Sequence, residues 1–183
     1  MDASGAPKCI TELHMHSHHF KRRVPDWRAA VIAGVISGGI FLEMEAAAAI
    51  VMNRSPWQAL HMAAGIVMGP GVASATSAFA PSALVTALGV HFFLSIVFAQ
   101  LLAAIMAPFK LDASIGMASL VGLAFGLALY AFDFHVMTMR FPWFTEARGS
   151  ATLVTHLMFG LIAADTYFSF KREDKSAGKA GAT

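Results

Sequence analysis

Seven ionisable side chains stand inside otherwise apolar stretches of this sequence: Glu43, Glu45, His91, Asp133, His135, His156 and Asp165. Carboxyl and imidazole groups can hold protons, metals or ligand headgroups. In an apolar medium each must also find a partner or cost free energy, so each either bridges helices or marks a site. Helical spacing restricts which of them can meet, because residues two apart point about 200° away from each other. Glu43 and Glu45 therefore cannot share a target, and neither can Asp133 and His135. Glu45 continues the face of Gly34 and Gly38, and Asp133 that of Gly122 and Gly126. His91 lines up with Ser95 and Ala99, and His156 with Gly160 and Ala164. Small faces of this kind let neighbouring helices approach. The expected cluster is Glu45, His91, Asp133 and His156, with Glu43 and His135 as second choices.

Such a cluster has three chemical uses. Its members can hydrogen-bond one another and fix helix register, exchange protons, or hold a metal or haem. A b-type haem between His91 and His156 is one arrangement to test, since their depths in the spans differ by about 5 Å at ~1.5 Å per residue. A second ligand set lies near the N-terminus, where His14, His16, His18 and His19, with Met15 and Cys9, offer nitrogen and sulfur to copper, nickel or zinc. The alternative for these four histidines is a solvated tail. Several enzyme signatures are absent from the sequence: Glu-x-x-His in a span, His-Glu-x-x-His, a nucleotide-binding loop, a nucleophile elbow and triad spacing. No midplane Gly/Pro interruption of the transporter kind is evident either. The residues point to a non-enzymatic protein.

The elements that must position these residues follow from composition. Of 183 residues, 57% are hydrophobic and 13% charged, with a mean hydropathy of +0.62. Soluble domains carry about 25% charge, so the chain reads as an integral membrane protein. The net charge of +2 gives no reason to expect a nucleic-acid partner, and the single cysteine excludes an internal disulfide. Four apolar segments are long enough to cross a bilayer, at 29–52, 82–107, 113–137 and 150–170. A shorter helix at about 56–68, opened by Ser55 as cap and Pro56, is expected to lie at the interface with Trp57 at headgroup level. The fold class is all-α, an integral membrane four-helix bundle with a short interfacial helix between helices 1 and 2. A basic, histidine-rich tail covers 1–28 and a charged tail 171–183. The first 28 residues lack the apolar core of a signal peptide, so helix 1 is read as an uncleaved anchor.

Lysine and arginine set the orientation. Ten of the thirteen lie in the two tails and the turn between helices 2 and 3, while Arg54, Arg140 and Arg148 lie in the other loops. The positive-inside rule then puts both termini in the cytoplasm, with the cluster in the periplasmic half.

At His91-Phe92-Phe93-Leu94-Ser95-Ile96-Val97-Phe98-Ala99, and at Pro142-Trp143-Phe144 followed by His156-Leu157, the chain resembles the YagU-like family of small bacterial inner-membrane proteins. The likeness covers roughly residues 25 to 172. It implies an inner-membrane protein of about four helices, without assigned catalytic activity and loosely linked to acid tolerance. The histidine-rich tail and the Glu43/Glu45 pair depart from that pattern. Lipid is the expected partner, alongside a homo-oligomer or other membrane subunits. Two further readings are an accessory subunit of a respiratory or redox complex and a haem- or copper-binding membrane protein.

Overall fold

The computed structural model describes residues 23–75 and 80–171, so the histidine cluster at 14, 16, 18 and 19 lies outside the described residues. Within them the chain is helical throughout: α1 (Trp27–Val51), α2 (Gln58–Met68), α3 (Pro70–Ala73), α4 (Pro81–Met106), α5 (Ile115–Ala131) and α6 (Ser150–Phe170). Helix α5 continues through a π-turn (Phe132–Val136) and a 3-10 turn (Met137–Met139), and a second 3-10 segment (Pro142–Ala147) leads to α6. Four of these elements are long and apolar enough to cross a membrane: Trp27–Val51, Pro81–Met106, Ile115–Met139 and Ser150–Phe170. The chain is a multi-pass, four-helix membrane protein.

Local chemistry sets the boundaries. Asp26 accepts from the amides of Arg28 and Ala29, so α1 starts at Trp27, two residues before the expected Ala29. Asn53, at φ 54°, closes that helix in the left-handed region that asparagine tolerates. Ser55 does not cap α2. Its hydroxyl accepts from the Trp57 amide at 3.3 Å within a turn, and the helix begins only at Gln58. Gly69, at φ 93°, ends α2, a conformation in which a side chain would be strained. Proline opens α4 at its first position, and Ser114 caps α5 through the Met117 amide.

The spans run up and down, and α1 packs between α4 and α6 while α6 also packs along α5. The contacts are made by small residues. A Cβ on Gly34 would lie 2.6 Å from Ile96 Cα of α4, and one on Gly38 would lie 2.7 Å from Ser95 Oγ. Across α5 and α6, a Cβ on Gly160 would meet Gly122 O at 2.1 Å, and one on Gly126 would meet His156 O at 2.2 Å. Lipid tails are as apolar as leucine, so close van der Waals contact of backbones, rather than hydrophobic transfer, holds such helices together. Around Ala33, Ala99, Ala103, Ala163 and Ala164 this packing leaves no exposed core.

Two polar clamps secure the same end of the bundle. Lys171 Nζ lies 2.7 Å from Asp112 Oδ2 and also donates to the Asp112 carbonyl, and Asp112, in the turn between α4 and α5, is only 3% exposed. Lys171, the first residue assigned to the charged tail, therefore belongs to the bundle. Tyr167 Oη accepts from the Asp26 amide at 3.2 Å and joins α6 to the start of α1.

At the opposite end the spans diverge. Helices α4 and α5, consecutive in the chain, make little contact with each other compared with α5 and α6. Helix α2 packs against α4 there, with Leu60, His61, Met62 and Ala64 buried.

Replacement of Gly160 by alanine should destabilise the bundle by about 1–3 kcal/mol, the usual cost of forcing atoms into a packed site. Gly39, whose Cβ would meet nothing within 4 Å, provides the control. Reversible unfolding in mixed detergent micelles should place Gly160→Ala well below wild type and Gly39→Ala at or above it.

Candidate functional site

Where the spans diverge, they enclose a cavity of about 310 Å³. All four spans contribute to its wall, together with α2 and the 3-10 segment Pro142–Ala147. Glu45, His91, Asp133 and His156 all line it, among predominantly apolar neighbours that include Phe41, Phe98, Phe132, Phe134, Phe144 and Phe159. Glu43 and His135 do not. Both side chains are on exposed faces of their helices, as the 200° phase relation requires, and His135 Nδ1 bonds to the Ala131 carbonyl at 3.1 Å.

The first turns of α6 organise the polar groups. The Thr152 carbonyl accepts from Thr155 Oγ1 at 2.8 Å and from His156 Nδ1 at 2.7 Å. Thr155 Oγ1 is also within bonding distance of Glu45 on α1, its single hydrogen serving one of these two oxygens at a time, and His156 Nε2 lies 3.2 Å from Asp133 Oδ2. A carbonyl only accepts, so His156 Nδ1 carries a hydrogen. A bond between Nε2 and Oδ2 then needs one further hydrogen, shared between imidazole and carboxyl. Both ring nitrogens of His156 are occupied in this way. His91 is held separately, with Nε2 donating to the Gly38 carbonyl at 2.8 Å, so Nδ1 is the acceptor of its neutral ring. Phe41 lies between the two imidazoles, stacked on His91 at 5.8 Å and edge-on to His156 at 5.0 Å.

The π-turn sets the α5 side of the wall. A π-turn widens the helix and is frequent at functional sites, and here it carries Phe132, Asp133 and Phe134 into the lining. The widened turn is supported from outside: Arg148 donates to the Phe134 carbonyl, and Thr138 Oγ1 bonds the same oxygen at 3.3 Å. Neither glycine nor proline occurs in Phe132–Val136, so the third span is interrupted without the residues that usually announce it.

The remaining polar contacts close the loop end. Trp143 Nε1 donates to the Met62 carbonyl at 3.2 Å, which fastens the 3-10 segment to α2. Arg54 donates to Gln58 Oε1 at 2.9 Å and to the Glu146 carbonyl at 3.2 Å. A smaller cavity of about 40 Å³, walled partly by Arg54, Ser55 and Gln58, shares Glu45 and Thr152 with the larger one. Thr152, Thr155, Phe41 and Arg148 carry no sequence signal beyond their types, and only the fold reveals their part in the site. His61 was likewise outside the set of span residues; it is buried in α2 with Nδ1 3.2 Å from the Val72 carbonyl. Asp165, at the far end, accepts from Ser119 Oγ at 2.7 Å and takes no part. No group of three or more His, Cys, Asp or Glu side chains placed to hold a metal occurs among the described residues.

A double-mutant cycle on His156→Phe and Asp133→Asn should give a coupling free energy of about 0.6 kcal/mol, typical of an intramembrane hydrogen bond. Micelle unfolding of the two single variants and the double variant measures it. A cycle on His135→Phe and Asp133→Asn should show no coupling.

No family model, curated protein or solved structure matches this chain.

Proposed function

We propose that this protein is a non-enzymatic, multi-pass protein of the bacterial inner membrane that binds a small amphiphilic molecule in the cavity bounded by Glu45, His91, Asp133 and His156. The observation that carries this reading is the convergence of four polar side chains, one from each span, on one largely apolar cavity. Cavities of this size and lining are the usual form of small-molecule sites. The same hydrogen bonds tie α1, α5 and α6 together, so the cluster both stabilises the bundle and presents the ligand-facing groups.

The hydrogen-bond pattern favours binding over proton relay. The path from Glu45 through Thr155 to His156 and Asp133 runs through the Thr152 carbonyl, which accepts from both sides and has no proton to pass on. It also favours binding over a haem held by His91 and His156, because both ring nitrogens of His156 already have partners. The orientation belongs to the same proposal. Both termini are cytoplasmic and the cavity lies on the periplasmic side, as the distribution of lysine and arginine indicates. The arginines on the other side are occupied structurally, Arg54 and Arg148 on carbonyls and Arg140 over the Phe141 ring at 5.4 Å. Kinship with the YagU-like family is part of this reading too, and the stretch that carries it supplies His91, Leu94, Ser95 and Phe98 to the cavity wall.

Two experiments test it. Illumination of a dodecanol bearing a diazirine on its chain, in membranes holding the protein, should label Leu94, Phe98 or Met137, and Ala63→Trp should remove that labelling by filling the cavity. Labels confined to lipid-facing residues such as Phe93 and Leu120 would overturn the binding reading. In intact spheroplasts, an impermeant maleimide should modify a Thr145→Cys variant at once and Cys9 only after permeabilisation; the reverse pattern would invert the orientation.

A further inference from the structure

The lining of the cavity is unbalanced in hydrogen-bonding type. Two carboxyl groups, Glu45 and Asp133, face it, and neither lysine nor arginine is among its lining residues. The nearby arginines do not compensate, because Arg54 is directed to Gln58 and Glu146 and Arg148 to the Phe134 carbonyl. Among the described residues Glu45 has no lysine or arginine within ion-pair distance, and its one hydrogen bond there, to Thr155, uses Oε1. The Asp133 side chain is 27% exposed against 8% for its partner His156, so the carboxyl rather than the imidazole is the open member of that pair. His91 contributes no donor once Nε2–H is bonded to Gly38, and in its neutral form offers only the Nδ1 lone pair. What the polar part of the wall presents is therefore a set of acceptors.

The apolar part points the same way. Six phenylalanines, from α1, α4, the π-turn, the 3-10 segment and α6, surround these acceptors. An aromatic face carries negative quadrupole density and attracts cations, more strongly where water is excluded. An anionic headgroup would meet the Glu45 carboxyl and the outer oxygen of Asp133, with no lysine or arginine in the lining to receive it. A neutral chain would gain burial but leave the acceptors unanswered, at the cost that attaches to unpartnered polar groups in an apolar site.

The geometry points to a lipophilic organic cation as the ligand, with an ammonium or amidinium head held by Glu45 and Asp133 and an apolar body among the phenylalanines. This inference rests on the binding reading given above and specifies its ligand. The small cavity beside Arg54, Ser55 and Gln58 reaches Glu45 from the loop end.

Competition against the diazirine dodecanol separates the possibilities, using three competitors that share one chain: dodecylammonium, dodecanol and dodecanoate. Dodecylammonium should suppress cavity labelling at about one tenth of the concentration needed for dodecanol, a margin in keeping with a desolvated cation–aromatic contact plus an ion pair. Dodecanoate should be the weakest. Glu45→Gln and Asp133→Asn should each reduce the advantage of the ammonium compound while the alkanol still labels the cavity, which also reports that the variants fold. Equal competition by all three, or the best competition by dodecanoate, would overturn the cation assignment and leave the cavity as a site for amphiphiles in general. Absence of any cavity labelling in wild type would overturn both.

Discussion

The carbonyl oxygen of Thr152 is the point through which three of the four spans are joined by polar contact. It accepts from His156 Nδ1 and from Thr155 Oγ1, one of which reaches Asp133 on the third span and the other Glu45 on the first. In an apolar medium a hydroxyl, an imidazole and two carboxyls are each costly alone. Meeting one another removes most of that cost. Because the members are satisfied only when the helices hold their observed rotations, the network also fixes the register in which α6 faces α1 and α5.

This polar end is sustained by the packing of the other. Between α5 and α6 the glycine contacts bring backbones together to distances that no side chain would permit, and the alanine-rich seam between α1 and α6 is buried almost without remainder. The Lys171–Asp112 pair and the Tyr167–Asp26 contact hold the ends of those helices against each other. With one end fixed, the spans can diverge at the other without the bundle coming apart, and the divergence is bridged by α2 and by the Trp143 and Arg54 contacts. The cavity is thus a consequence of tight packing elsewhere. Its polar lining is tolerable because its groups are hydrogen-bonded to one another or to neighbouring backbone and hydroxyl groups.

Much of the arrangement was legible from residue types. Apolar length gave four spans, and the π-interrupted third one still fits its expected extent of 113–137 to within two residues at either end. Helical phase separated Glu45 from Glu43 and Asp133 from His135, because 3.6 residues per turn leaves no freedom in which of two such neighbours faces inward once a glycine face is known. Other details depended on contacts that residue type does not reveal. Asp112 does lie in the turn between the second and third spans, and what residue type did not show is its burial by Lys171, 59 positions away. Ser55 looked like a cap and serves the turn before the helix. The π-turn left no trace in the sequence because its support comes from Arg148 of a later loop rather than from glycine or proline.

The sequence by itself determined that this chain crosses a membrane, how many times, and which face of each span turns inward, since hydropathy and helical periodicity are local properties of consecutive residues. Only the tertiary structure decided that the inward carboxyls and imidazoles meet around an open cavity rather than closing on one another. That outcome depends on how far the helices diverge, on which carbonyl or hydroxyl lies beside each polar group, and on where α2 comes to rest. Those are properties of several segments at once, and no single stretch of sequence contains them.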